Sequence, residues 1–160
     1  MANYGTQQFA GAAQTVINLA TDIAAGNFSG APAATFSNND ATYPNALHAN
    51  AMAEFPDWAA APVAGTLVEL WGLLKDVDST DDDTGAPSGT ASGGARYFGA
   101  WVIEAADALQ RRTIVISLLG INNSITVDFY LKNGTAQNMN NDGGTNCVVK
   151  ITPFTEGITV

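Results

Sequence analysis

The sequence predicts an all-β chain, an antiparallel sandwich or barrel, and three observations predict it. Apolar residues recur at period two in short runs of roughly six to nine residues. Gly, Pro, Asn and Asp punctuate the gaps between runs, and no 10–15-residue helical pattern lies in those gaps. The 160 residues include 16 Thr, 14 Asn and 16 Gly, which weaken helices, while Thr, Val and Ile suit a pleated surface.

Taken in order, residues 1–12 (MANYGTQQFAGA) are small and polar, with Tyr4 and Phe9 as isolated aromatic anchors. They read as an arm that orders against something else. From Gln14 to Ile23 the residues Ile17, Leu19, Thr21 and Ile23 fall on one face of a half-buried strand. Residues 24–45 form a loop-rich connection with one short strand at Ala33–Phe36. Leu47–Phe55 is alanine-rich and helix-friendly in content. It is read as a strand because Leu47, Ala49, Ala51, Ala53 and Phe55 alternate with polar or larger residues. Pro56, Pro62 and Gly65 then fence a turn around Trp58.

Five clearer strands follow: Thr66–Leu74, Tyr97–Ile103, Thr113–Leu119, Ile125–Lys132 and Cys147–Thr152. Pro153 is expected to end or edge the last one. A short helical turn is placed at Ala105–Leu109. At this length one domain is expected, residues 13–160 forming the sandwich, with a long acidic and Gly-rich loop at 75–95.

Charge and composition exclude several functions. Six Lys or Arg stand against fifteen Asp or Glu, giving −9. All six cations (Lys75, Arg96, Arg111, Arg112, Lys132, Lys150) lie at or beyond position 75. Such a chain repels phosphate backbones, so neither nucleic acid nor an anionic membrane is expected as a partner. A single His48 and a single Cys147 cannot build a His-rich metal centre, a zinc ribbon or an intrachain disulfide; only interchain pairing of Cys147 stays open. The N-terminus lacks a basic segment followed by an apolar one, so no secretory signal is read there, and synthesis is expected in the cytosol. Charged residues are 13% of the chain against about 25% in ordinary soluble domains, as in a surface that meets other protein.

Candidate chemistry is thin. Asp76, Asp78, Asp81, Asp82 and Asp83 form the one charge cluster. An EF-hand starting at Asp76 would require Gly where Asp81 stands and Glu where Pro87 stands, so the run is read as a solvated acidic loop and not as a metal site. His48 has no nucleophile-elbow sequence to work with. Glu54, Glu69, Glu104 and Asp128 each alternate with apolar neighbours as outward, solvent-facing strand residues do, which leaves no carboxylate pair for glycosidase chemistry. Cys147 alternates with Val149 and Ile151 as a buried small hydrophobe. Trp58, Trp71 and Trp101 are assigned to core or subunit contacts in preference to a sugar platform. By alternation Trp71 shares a face with Leu67, Glu69 and Leu73, and Trp101 shares one with Tyr97, Gly99 and Ile103. No catalytic, cofactor-binding or metal-binding residue is assigned.

From Pro62 onward the order of elements resembles a family of small tailed-bacteriophage virion proteins with a jelly-roll domain. The residues that carry the likeness are Ala61–Trp71 (APVAGTLVELW), Phe98–Val102 (FGAWV), Arg111–Leu119, Val127–Gln137 (VDFYLKNGTAQ) and Val149–Phe154 (VKITPF), which lie within a stretch of about 95 residues of the chain. The chain departs from the pattern at Asn122-Asn123, where members place Pro-Pro, and in its more acidic first long loop. Neither departure touches a strand. The resemblance implies a jelly-roll fold and a non-enzymatic capsid decoration or cement role without cofactor, on the virion surface. Its implied partners are the major capsid protein and neighbouring copies of the chain; the uncharged residues 1–12, with their two aromatics, are expected to anchor the chain by ordering on the shell or on a neighbouring copy. A tail- or neck-associated protein and a carbohydrate-binding adhesin remain the alternatives.

Overall fold

In β4 (His48–Phe55) the residues Ala49, Ala51, Ala53 and Phe55 have no exposed surface, while His48 and Met52 face solvent. That strict period of two is the signature of a strand with one face on a core. It resolves the helix-friendly composition of this segment in favour of the sheet. The computed structural model describes residues 5–30, 32–39, 45–75, 85–122, 124–139 and 145–159. Its other strands are β1 (Gly5–Ala10), β2 (Gln14–Leu19), β3 (Thr35–Ser37), β5 (Leu67–Lys75), β6 (Arg96–Val102), β7 (Gln110–Ser117), β8 (Thr126–Asn133) and β9 (Cys147–Thr159).

Two antiparallel sheets form. One runs β7-β4-β9, with β2 and β1 sharing the far side of β9; the other runs β3-β8-β5-β6. Within them β2 pairs with β9, β3 with β8, β4 with β7 and β5 with β6. Partners are counted inward from the two ends, so residues 14–159 form one long hairpin rolled into two layers. This is the jelly roll.

The layers meet through aromatic side chains. Phe55 on β4 and Trp101 on β6 lie edge to face across the two sheets at 5.5 Å, while Phe36 and Phe129 at 5.8 Å and Phe98 and Phe129 at 5.1 Å pack together on the inner face of the β3-β8-β5-β6 sheet. Trp101 on β6 also donates its Nε1 proton to the Ala51 carbonyl on β4, 3.2 Å away in the opposite sheet. The alanines of β4 leave room for these large rings.

Several sequence expectations are corrected. The first sandwich strand stops at Leu19, and Ile23 makes an isolated bridge to Met139. A bulge between Thr15 and Ile17 turns both Val16 and Ile17 inward, which simple alternation cannot do. A second bulge offsets β6 against β5, pairing Leu70 with Gly99 but Trp71 with Tyr97. Phe98, the extra residue, packs on the core, and Tyr97 leaves the Trp101 face for solvent. At Gly99 an added Cβ would stand 2.8 Å from Ile114 Cδ1 and would push the end of that side chain aside.

Pro153 does not end β9, which continues to Thr159. Its carbonyl accepts from Gly11 N at 2.8 Å, so Pro153 faces the gap between β2 and β1, where a missing N–H leaves no ladder bond unmade. No helical turn forms at Ala105–Leu109; the Gln110 side chain braces that bend by bonding Glu104 N, Glu104 O and Ala106 O. The N-terminal segment finds a partner in its own chain, since Gly5–Ala10 pairs with Phe154–Thr159 of β9, starting at the last residue matched to β4.

Candidate interaction surface

The polar residues singled out in the sequence do not converge. Among the described residues, no three His, Cys, Asp or Glu side chains come together. Glu54 on β4 pairs with Arg111 at 2.6 Å, and Glu104 pairs with Arg112 at 2.7 Å. Glu69 accepts the Trp71 Nε1 proton at 2.7 Å. His48 is exposed and stacks on Phe154, ring centroids 5.8 Å apart.

Asp128 corrects the expectation of solvent exposure. It takes the outer face of β8 as alternation requires, yet it is only 6% exposed, because Lys75 Nζ sits 2.5 Å from one carboxylate oxygen and Thr35 Oγ1 donates to the other at 2.6 Å. Thr35 belongs to β3 and Lys75 to β5, so this one carboxylate ties β8 to both neighbours. The Asp76–Asp83 cluster that follows Lys75 lies outside the described residues.

Nor do the three tryptophans form a platform. Trp101 is core, and Trp58 is buried beside Met139. Trp71 faces outward among Phe28, Leu73 and Tyr130, a second small cluster on the outer face of the β3-β8-β5-β6 sheet. Segment 26–29 extends along β8 and brings Phe28 there, with Lys132 Nζ 5.6 Å from the Phe28 ring centre and 5.9 Å from that of Trp71.

Cys147 is fully buried in β9, and burial, followed by the nearby negative charge of Glu54, pushes its thiol up to about 12. A thiol that keeps its proton in the folded state but loses it near 9 when unfolded favours unfolding as pH rises from about 9 toward 12. Native protein at pH 8 is therefore expected to resist iodoacetamide until denaturant is added. Rapid alkylation without denaturant would contradict this burial.

What the sequence did not single out is the flank where the edges of the two sheets, β6 and β7, lie side by side. Here Tyr97 (56% exposed), Val115 (62%) and Leu119 (78%) present apolar surface to solvent. A cavity of about 370 Å³ opens beside them, lined by Leu74, Arg96, Phe98, Ser117 and Ile121 in addition to Tyr97 and Leu119. One end of the flank is closed by Arg112. Its guanidinium donates to Val102 O at 3.3 Å, to Arg111 O at 3.1 Å and to Gln110 Oε1 at 3.3 Å, and pairs with Glu104. That fork of donors, which Lys lacks, bridges the two sheet edges. The alternation of Thr113, Val115 and Ser117 is the sequence signal that could have exposed Val115. The Arg112 contacts had none, since their partners depend on how the sheets stack.

A scan of protein-family models, a search of curated proteins and a search of solved structures find no match to this chain.

Proposed function

We propose that this chain is a non-enzymatic structural protein of a bacteriophage virion, a decoration or cement protein that binds the major capsid shell and stabilises it. The observation that carries the reading is a jelly-roll body with an open flank of exposed Tyr97, Val115 and Leu119 beside a cavity. Jelly rolls recur in viral capsid domains, an argument by analogy of fold. The sequence resemblance from Pro62 onward points the same way.

The physics of the role is undemanding. A shell offers one site many times, so a modest contact per copy suffices when copies also contact one another. A surface short of charge lowers the desolvation cost of such contacts. The proposed location is the outer surface of the virion, with the shell protein and neighbouring copies as partners.

Quantitative mass spectrometry of purified particles from producing cells tests the proposal. On the order of hundreds of copies per particle is the expected result, as repetition over the shell requires. About six or twelve copies would place the protein at the tail or neck, whose symmetry is cyclic. Absence from particles, with calcium-dependent binding on a glycan array, would favour an adhesin, since lectin domains share the fold.

A further inference from the structure

Among the described residues five edge strands border the sandwich, β1, β2, β3, β6 and β7; β1 is shorter than β7 and is held only by the end of β9, and three of the others are blunted against further pairing. β3 has only three residues. β2 is bulged between Thr15 and Ile17, and β6 is bulged at Phe98, with its Val102 carbonyl already taken by Arg112. These are the ordinary devices that keep sheet edges from pairing. β7 has none of them beyond Arg112. It pairs with β4 in unbroken register over its whole length, and Arg112 covers only the Gln110–Arg112 end. Leu118 N bonds to Leu47 O on the β4 side, so alternation turns the N–H and C=O groups of Thr113, Val115 and Ser117 away from β4, toward the open edge. Their side chains, with Arg111, are all exposed on the outer face.

We infer that this chain forms a two-fold symmetric dimer by antiparallel pairing of β7 with β7 of a second copy, centred on Val115. The occupant is a second copy because the edge is complementary to itself. With Val115 opposite Val115, Thr113 meets Ser117 and Arg111 meets Leu119 of the other copy. No guanidinium faces a guanidinium, and two exposed valines cover one another. Roughly six main-chain hydrogen bonds satisfy the outward groups of both strands. The two four-position sheets then become one continuous sheet, as in strand addition generally.

Charge selects the same edge. Each copy carries −9, and Arg96, Arg111 and Arg112, half of its six cations, lie on β6 and β7. β6 and β7 themselves hold no Asp or Glu, and Glu54 and Glu104 are paired with Arg111 and Arg112, so this flank adds little of the net −9 to the repulsion between copies. The inference stands apart from the capsid reading, because it is measured on the purified chain; either can fail while the other holds.

Light scattering on the full chain after size exclusion, over a concentration series, tests it. The expected mass is twice the 16.6 kDa of one chain. Val115→Lys, at a residue 62% exposed, sets two ammonium groups opposite each other and should weaken the dimer at least about tenfold while leaving the melting temperature of the monomer unchanged. Val102→Lys, at a similarly exposed valine on β6, should leave the dimer intact. A wild-type mass of one chain throughout the series would overturn the inference. So would a dimer that survives Val115→Lys, or one that Val102→Lys disrupts equally.

Discussion

Replacing Asn133 by leucine, a residue of similar volume, is expected to remove about 4 kcal/mol of stability, a large share of the 5–15 kcal/mol typical of a domain. Asn133 has no exposed surface and sits at the end of β8, where three segments meet. Its amide nitrogen donates to Ile23 O at 3.0 Å and Gln137 O at 2.8 Å, and its Oδ1 accepts from Thr135 N at 3.1 Å. The Thr135 hydroxyl lies 2.8 Å from the same oxygen. Its backbone N–H and C=O bond Asn27 and Gly26. Carbonyls surround one end of the amide and donors the other, so the orientation of the side chain is fixed by its partners. Leucine would leave those buried groups without partners, each at about 1–3 kcal/mol. With a urea dependence of about 2 kcal/mol per molar, the midpoint should fall by roughly 2 M. A fall of less than about 0.5 M would show that water replaces the amide and that Asn133 is no hub.

Truncating Trp101 to alanine should cost a similar amount by a different route. The ring is 1% exposed, packs edge to face on Phe55 and bonds across the sandwich to Ala51. Removing a buried aromatic side chain costs about 3–5 kcal/mol, because transfer free energy is lost and a cavity remains. For a chain of this size that lowers the melting temperature by roughly 12 °C. Trp101→Phe keeps most of the packing and loses the Nε1 bond, so it should cost about 1–2 kcal/mol. Two equal losses would mean that the hydrogen bond outweighs the volume, contrary to the packing seen here. Added saccharide should change neither melting temperature, since this ring has no solvent-facing side.

How far the fold was legible follows from these same residues. Period two in β4, β8 and β9 is a local property, and it identified the strands even where alanine favoured a helix. Bulges are not local: Phe98 leaves the alternation only because β5 and β6 are offset, and nothing in YFGAWV marks the offset. Burial of Asp128 depends on Lys75 and Thr35, 53 and 93 residues away in the chain. Pro153 was read by its missing donor, correctly in chemistry; that the donor faces a gap between β2 and β1 belongs to the tertiary arrangement. The interaction surface was the least legible part. Edge strands look like interior ones in sequence, so the open edge of β7 emerges only from the strand order and from Arg112 bridging to β6.

The inward-counted strand pairing bears on how the protein is made. β9 follows every other strand in the chain, yet it lies inside its sheet, between β4 and the β2–β1 edge. During synthesis β2 and β4 have no neighbour to join them until residues 147–154 leave the ribosome, and their pairing then closes loops of about a hundred residues or more. β5, β6 and β8 can assemble earlier. Until β9 emerges the nascent chain can carry the β3-β8-β5-β6 sheet and, of the other sheet, only the β4–β7 pair with β2 unattached, so its vulnerability to misassociation is greatest before residues 147–154 are made.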